Sequence, residues 1–390
     1  MNRDALELVM QTGGEIYNRT VFPRGGYVRM AFPSNGKRYS VDKLELKNLL
    51  EEAVSRGIGN HDEIGLLLSG GVDSSLLLHL VRELHPDVRV IAYHTDFGVP
   101  ERSERLDAIE MAAHENVKLR VIDVHSSKQI SYIDESLRMM KTVSYGAPSV
   151  YMIFDAMRKD GINVAFNALG LDELMAGYTI HKRYFNRGRL NFWPFMRTEN
   201  RPLKYLMYKY GNAKSFMLSN TLADPAISFV QDTSLEASEF YKFMKAQTLW
   251  DTIQYWTYVA MEGNFASLIK RGAWAHGIKV VFPYMDYPLM RYCHNIVPEE
   301  KLNKAPVRWL MRNEYNIPER IVRKGENWDK IGWGGTPLPY FSDGMYMAAI
   351  STNEDAIHEW FTKEAIDKYY GGNRQTLQML LFTKLLEVLE

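Results

Sequence analysis

The stretch Ile64-Gly65-Leu66-Leu67-Leu68-Ser69-Gly70-Gly71-Val72-Asp73-Ser74-Ser75 constrains this chain more than any other. Residues 64–68 form a short, unbroken apolar run, the pattern of a strand buried on both faces. Leu76, Leu77, Leu80, Val81 and Leu84 then follow at helical spacing. Between the two, a pair of glycines lets the backbone turn sharply and approach a ligand closely. The serines add hydroxyls, and the helix start adds unpaired N–H groups and a positive dipole end. Ser69, Gly70, Gly71, Ser74 and Ser75 therefore read as a cradle for a pyrophosphate-like anion. No lysine follows the glycines, so this is not the Gly-Lys-Ser/Thr nucleotide loop. Asp73 inside such a cradle would repel phosphate oxygens unless a cation such as Mg²⁺ bridged them. A plain strand–turn–helix with Asp73 as N-cap is the competing reading. The full Ser-Gly-Gly-Val-Asp-Ser-Ser pattern favours phosphate.

Around this loop, strand-like and helix-like segments alternate. Residues 41–54 carry an amphipathic helix, with Leu46, Leu49, Leu50 and Val54 on one side. Strands are expected at 64–68, 88–93, 119–124 and 162–166, and helices at 101–115, 128–141 and 149–159. That rhythm predicts an α/β fold: a parallel twisted sheet with helices on both faces. Beyond about Arg189 it gives way to helical patterns rich in Tyr, Trp, Phe and Met. The expected organisation is a short extension of strands and turns over 1–40, an α/β core over 41–190, and a mainly helical region over 191–390 that completes the site.

A second motif, Asn167-Ala168-Leu169-Gly170-Leu171-Asp172-Glu173-Leu174-Met175-Ala176-Gly177-Tyr178, follows the strand expected at 162–166. In a parallel sheet successive strand ends share one edge, so Asp172 would face Asp73 across the same polyphosphate and share its Mg²⁺. Asp172 also reads as a cap for the helix that follows, and both roles are compatible.

The first loop resembles the signature loop of the N-type ATP pyrophosphatases, which split ATP between the α and β phosphates and adenylate a substrate oxygen. The second resembles the Gly-Glu-Gly-Ala-Asp-Glu-Leu-Phe-Gly-Gly-Tyr motif of asparagine synthetase. Further matches keep chain order: residues 46–54, 277–286 and 329–337, and Lys304-Ala305-Pro306-Val307-Arg308. The resemblance implies an adenine nucleotide alpha hydrolase-like fold, ATP and Mg²⁺, and an AMP-forming carbon–nitrogen ligase acting on a small carboxylate and ammonia or an amine. It places Leu68, His94, Ala168 and Gly170 with the nucleotide, and Asp73 and Asp172 with the metal. Lys330, in a Gly-rich loop, becomes the lysine that stabilises the reacting centre, with Lys324 as the competing assignment.

The departures concern the acceptor side. Leu169 stands where the family carries a residue that assists the nucleophile, and Leu169 cannot move a proton. Lys279 replaces a glutamate and Val281 an arginine of the family pattern. Glu173, Tyr178 and Glu262 are candidate helpers. Asn2 stands where the glutamine-hydrolysing half of the family has its cysteine, and some 40 residues are too few for that half. The nitrogen is thus expected from free ammonia, a substrate amine or a separate ammonia-supplying subunit, and a homodimer is open.

Composition limits the alternatives. Lys+Arg and Asp+Glu both number 47, so overall charge draws the chain to neither nucleic acid nor anionic membrane. The basic, aromatic run His181-Lys182-Arg183-Tyr184-Phe185-Asn186-Arg187-Gly188-Arg189 keeps a tRNA-modifying adenylating ligase as one alternative. A nucleotide-binding regulator that lost catalysis at Leu169 is another. The single cysteine, Cys293, excludes an internal disulfide and reads as a buried helical residue. No apolar run reaches the roughly 20 residues of a membrane span, and the N-terminus lacks a signal-peptide pattern, so a cytoplasmic enzyme is expected.

Overall fold

The computed structural model describes residues 38–98, 103–185, 261–327, 344–351, 354–369 and 374–389, together with 250, 253–254 and 257–258. Five strands form one parallel sheet in the order β3-β2-β1-β4-β5. They are β1 (Glu63–Leu67), β2 (Arg89–Asp96), β3 (Lys118–Asp123), β4 (Val164–Phe166) and β5 (Lys279–Val281). The first four are those expected from the apolar runs. The fifth comes from the half that reads as helical. At three residues, and paired on its β4 side, β5 carries too little pattern to stand out.

Alternation along the strands sorts side chains to two faces. Ile64, Leu66, Val90, Ala92, Val164 and Phe166 join one core with α1 (Lys43–Ile58), α2 (Val72–Leu84) and α3 (Arg105–His114). Ile91, Tyr93 and Ala165 join the other with α4 (Ile133–Met140) and α5 (Ala147–Lys159). The helices on both faces thus follow from period-two strands with no polar face. Gly65 lies flat under α5: a Cβ there would come 3.1 Å from Ile162 and 3.3 Å from Tyr93.

The helices start and stop on local signals. Asp42 caps α1 by accepting from the amides of Leu44 and Glu45 at 2.9 and 3.2 Å. Gly59, at φ +52°, ends it. Past β4 come two short helices, α6 (Leu171–Leu174) and α7 (Thr179–Phe185). The later part adds α8 (Ser267–Ala275), α9 (Tyr287–Asn295), α10 (Ala305–Asn313), α11 (Glu319–Arg323) and α12 (Arg374–Leu389). Leu377, Leu380, Leu381 and Leu385 of α12 pack on Ile133 and Leu137 of α4 in a third apolar cluster.

The strands and turns expected over 1–40 lie outside the described residues except at the end, where Tyr39 bridges to Ile296. No helix among the described residues is long and apolar enough to cross a membrane.

Candidate active site

The sheet order reverses between β1 and β4, because the chain runs outward through β2 and β3 before it returns to β4. The loops leaving the carboxyl ends of those two strands must diverge, and the crevice between them is where open parallel sheets take ligands. Both sequence motifs occupy these loops: residues 68–71 follow β1, and residues 167–170 follow β4.

The first loop is held by its own serines. Ser69 Oγ accepts from the Gly71 amide at 3.1 Å and lies 2.9 Å from Ser74 Oγ, which also accepts from the Ser69 amide at 3.1 Å. Gly70 adopts φ +80°, and a Cβ there would sit 2.6 Å from the Ala108 amide nitrogen. The start of α3 therefore presses directly on the turn. Gly71 is the N-cap of α2 and offers no side chain, so Asp73, in the first turn, is not the cap. Ser75 is fully buried, and its hydroxyl has no hydrogen-bond partner among the described residues.

Leu68 and His94 underlie the loop. Leu68 donates its amide to Tyr93 O at 2.8 Å, and its carbonyl lies 2.9 Å from His94 Nδ1. Burial lowers the affinity of His94 for a proton, against the opposing effect of that carbonyl. A neutral ring donating from Nδ1 fits both facts.

In the second loop Asn167 Oδ1 accepts from the Leu169 amide at 2.9 Å, Ala168 is half-buried, and Gly170 turns at φ +116°. Gly170 is also the N-cap of α6, so Asp172 does not cap that helix either. Tyr284 joins the two loops from below. Its hydroxyl donates to Asp73 O at 3.0 Å, while a Cβ on Gly170 would meet its backbone and Cβ at 3.2 Å.

The carboxylates of Asp73 and Asp172 converge on one cation. Lys304 Nζ is 2.6 Å from Asp73 Oδ1 and 2.6 Å from Asp172 Oδ1, and its side chain is only 4% exposed. The backbone puts it there. Lys304 takes a left-handed φ of +61°, and Asn303 and Lys304 donate their amides to Ala176 and Met175 at 3.1 and 2.8 Å. Gly177 is needed beside the pair, since a Cβ there would lie 2.0 Å from Asp172 Oδ1. Two hard anionic oxygens meeting at one cationic point, at the mouth of a backbone cradle, are a donor set that fits Mg²⁺, which takes one or two carboxylates and completes its shell with phosphate and water.

A second lysine reaches the cradle. Lys324, just past α11, donates to Gly70 O at 3.2 Å and pairs with Glu104 and Asp107 of the α3 start at 2.6 and 2.7 Å. Arg308 ties both lysines to one frame: it donates to Asn303 O at 2.9 Å, to Lys324 O at 2.8 Å and to Val322 O. Lys330 lies outside the described residues.

Other expected helpers are placed differently. Glu173 is buried and accepts from the Tyr178 hydroxyl. Burial, then the Glu173 charge, holds the Tyr178 phenol well above its ordinary range, so it keeps its proton. Of the basic run after Tyr178, His181 is buried and accepts the Tyr178 amide at 3.1 Å, while residues 186–189 lie outside the described residues. The Glu262 side chain also lies outside them. Lys279 is exposed on β5, and Val281 packs near Gly57. Cys293 is fully buried, and burial pushes its thiol up to about 12, far from a reactive thiolate.

Lys304 and Tyr284 have no role in the sequence reading beyond membership of matched stretches. The available signal was the pairing of Lys304 with Arg308 at the start of an amphipathic helix.

Comparison with known proteins identifies a family and several relatives. Residues 45–325 match the family model described as asparagine synthase. An asparagine synthetase-like protein of Methanocaldococcus jannaschii is 33% identical over 161 residues, covering 39% of this chain and 28% of that protein. The glutamine-hydrolysing asparagine synthetase 1 of Bacillus subtilis is 22% identical over 337 residues, covering 76% and 50%. The chain thus spans half or less of the length of these two relatives. Among solved structures, an NH3-dependent NAD synthetase from Campylobacter jejuni superposes with a TM-score of 0.27 at 18% identity, covering 35% of this chain and 61% of that one. A U34-tRNA thiolase from Methanococcus maripaludis gives 0.29 at 12% identity, covering 65% and 90%. With the family model spanning most of its length, the chain belongs to the asparagine synthase family.

Proposed function

We propose that this chain is an ATP-dependent, AMP- and pyrophosphate-forming amide synthetase. The observation that carries the reading is the meeting of Asp73 and Asp172, from the two loops at the reversal of the sheet, on a single cation position beside a glycine cradle. In the first step a carboxylate oxygen of the acceptor attacks the α-phosphorus of ATP, the bond to the bridging α–β oxygen breaks, and pyrophosphate leaves. In the second, ammonia or an amine attacks the acyl carbon, the bond to the AMP oxygen breaks, and the nitrogen sheds a proton.

The chain's own groups divide this work. The Gly70 amide and the amides at the start of α2 would receive the polyphosphate, with Ser74 and Ser75 beside them, while the Ser69 and Gly71 amides hold the loop in shape. Asp73 and Asp172 would hold Mg²⁺, which neutralises phosphate charge when bound. Leu68, His94, Ala168 and Gly170 border the nucleoside side. Lys304 fills the cation position between the carboxylates in the metal-free chain and would yield it to Mg²⁺. Lys324, at the Gly70 carbonyl, is the described lysine best placed to meet charge that develops as pyrophosphate or AMP departs. Leu169 takes no proton, so the nucleophile loses its proton to another acceptor. The departures at Leu169, Lys279 and Val281 leave the acceptor open, to aspartate as to carboxylates of other shapes.

The test is a pyrophosphate-release screen with Mg-ATP over a panel of carboxylates, with and without ammonium, and with tRNA as a separate arm. Release with a carboxylate, abolished by Asp73→Ala, is the expected result. ADP and phosphate as products would overturn the mechanism. Release with tRNA alone would move the chain to the nucleic-acid reading, and ATP binding with no release on any arm would mark a regulator.

A further inference from the structure

Away from the cradle, α2 and α3 are joined by a cluster that the proposed reaction does not use. His79 and Glu83 project from α2, while His114 ends α3 and Glu115 follows it. His79 lies six residues beyond Asp73, about 9 Å along the helix axis. Its Nδ1 is 2.8 Å from Glu115 Oε1, and the same oxygen is 3.7 Å from His114 Nε2. One ligand atom from each of His79, His114 and Glu115 falls within a 4.8 Å span, the one such group of three found among the described residues.

We propose that His79, His114 and Glu115 form a structural metal site of the zinc class, with Glu83 orienting His79 from outside.

Zinc bonds to histidine nitrogen and carboxylate oxygen at about 2.0–2.2 Å in a tetrahedron, which places neighbouring ligand atoms roughly 3.3 Å apart. Two of the three separations, 2.8 and 3.7 Å, lie to either side of that value and the third is within 4.8 Å, so rotamer adjustments that draw His114 inward would bring the three atoms onto one ion. Two imidazoles and one carboxylate are a donor set for zinc, and water or a second carboxylate supplies the fourth ligand. The outer partner is also present. A ligating histidine donates its other ring N–H to a carboxylate; His79 Nε2 is 3.0 Å from Glu83 Oε2, close but not aligned as a hydrogen bond, so the ring would turn onto Glu83 as the ion binds. Burial suits a fixed site: the side chains of His79 and Glu115 are 14% and 9% exposed. His114 faces solvent and gives the ion a way in. The Tyr315 ring, 5.3 Å from that of His79, closes the inner side.

Such an ion would clamp α2 to the end of α3. The starts of the same two helices form and flank the cradle, where the Ala108 amide and Asp107 of α3 press on Gly70. The clamp would hold the cradle wall at a set distance without touching nucleotide.

The experiment strips the whole chain of metal with chelator and titrates it with Zn²⁺ by calorimetry and with Co²⁺ by visible absorption. One equivalent bound, tetrahedral cobalt bands and a rise in Tm of a few degrees are expected. His114→Ala should remove the bands and the Tm shift, with folding checked by circular dichroism. Glu83→Gln should keep the stoichiometry and weaken affinity by about 10–100-fold. Absence of stoichiometric binding in the native chain would overturn the proposal, as would binding unaltered by His114→Ala. Because these readouts need no substrate, they stand apart from the fate of the pyrophosphate screen.

Discussion

Arg308 donates to the main-chain carbonyl of Lys324 at 2.8 Å, and through that bond the two lysines of the candidate site share one support. The same guanidinium holds Asn303 O at 2.9 Å, the residue before Lys304. A planar fork with several donors can span both segments, and a lysine in its place could not. Lys324→Ala should therefore lower the rate of pyrophosphate release by about 10²–10³-fold. Arg308→Lys should lower it by up to about 10²-fold through misplacement alone. Lys330→Ala is the control. Steady-state kinetics that put the larger loss on Lys330 would return the catalytic role to that residue.

Lys304 joins Asp73 and Asp172, its Nζ 2.6 Å from an oxygen of each. Its removal leaves two largely buried carboxylates facing each other. Lys304→Met should cost about 3–5 kcal/mol of unfolding free energy, measured by urea denaturation. The double variant Lys304→Met with Asp172→Asn should recover part of it. Equal losses in the single and double variants would mean the triad is not coupled.

Gly70 and Gly161 share a left-handed φ, +80° and +84°, but not their surroundings. A Cβ at Gly70 would meet the α3 backbone at 2.6 Å, whereas at Gly161 it would meet no atom of the described residues within 4 Å. Gly161→Ala should cost about 1–2 kcal/mol for its conformation alone. Gly70→Ala should add about 1–3 kcal/mol of overpacking and disturb nucleotide binding. Similar denaturation midpoints for the two variants would count against the contact with α3.

Burial, then the charge of Lys301, pushes His181 down to about 3. An unfolded histidine titrates near 6.5. Between those values the unfolded chain binds a proton that the folded chain does not. Stability from this residue is therefore whole above about pH 6.5 and is lost as pH falls toward 3, by up to about 1.4 kcal/mol per pH unit. His181→Asn keeps an acceptor for the Tyr178 amide and does not titrate. Its unfolding free energy should fall less steeply with acid than that of the native chain, and identical slopes would exclude His181 as the responsible group.

The amino-acid sequence alone determined whatever is written within a dozen neighbouring residues. The apolar run at 64–68, the glycines that follow and the leucine stripe after them specify strand, turn and helix by local geometry, and four of the five strands are legible in this way. Which charges meet depends on the folded chain. Lys304 stands 231 positions from Asp73, and Lys324 stands 220 from Glu104. No periodicity links residues so far apart, because their approach depends on the reversal of strand order and on a left-handed turn at residues 303–304. The short strand at 279–281 was hidden for a related reason: three residues carry no alternation to read, and their partner β4 defines them as a strand.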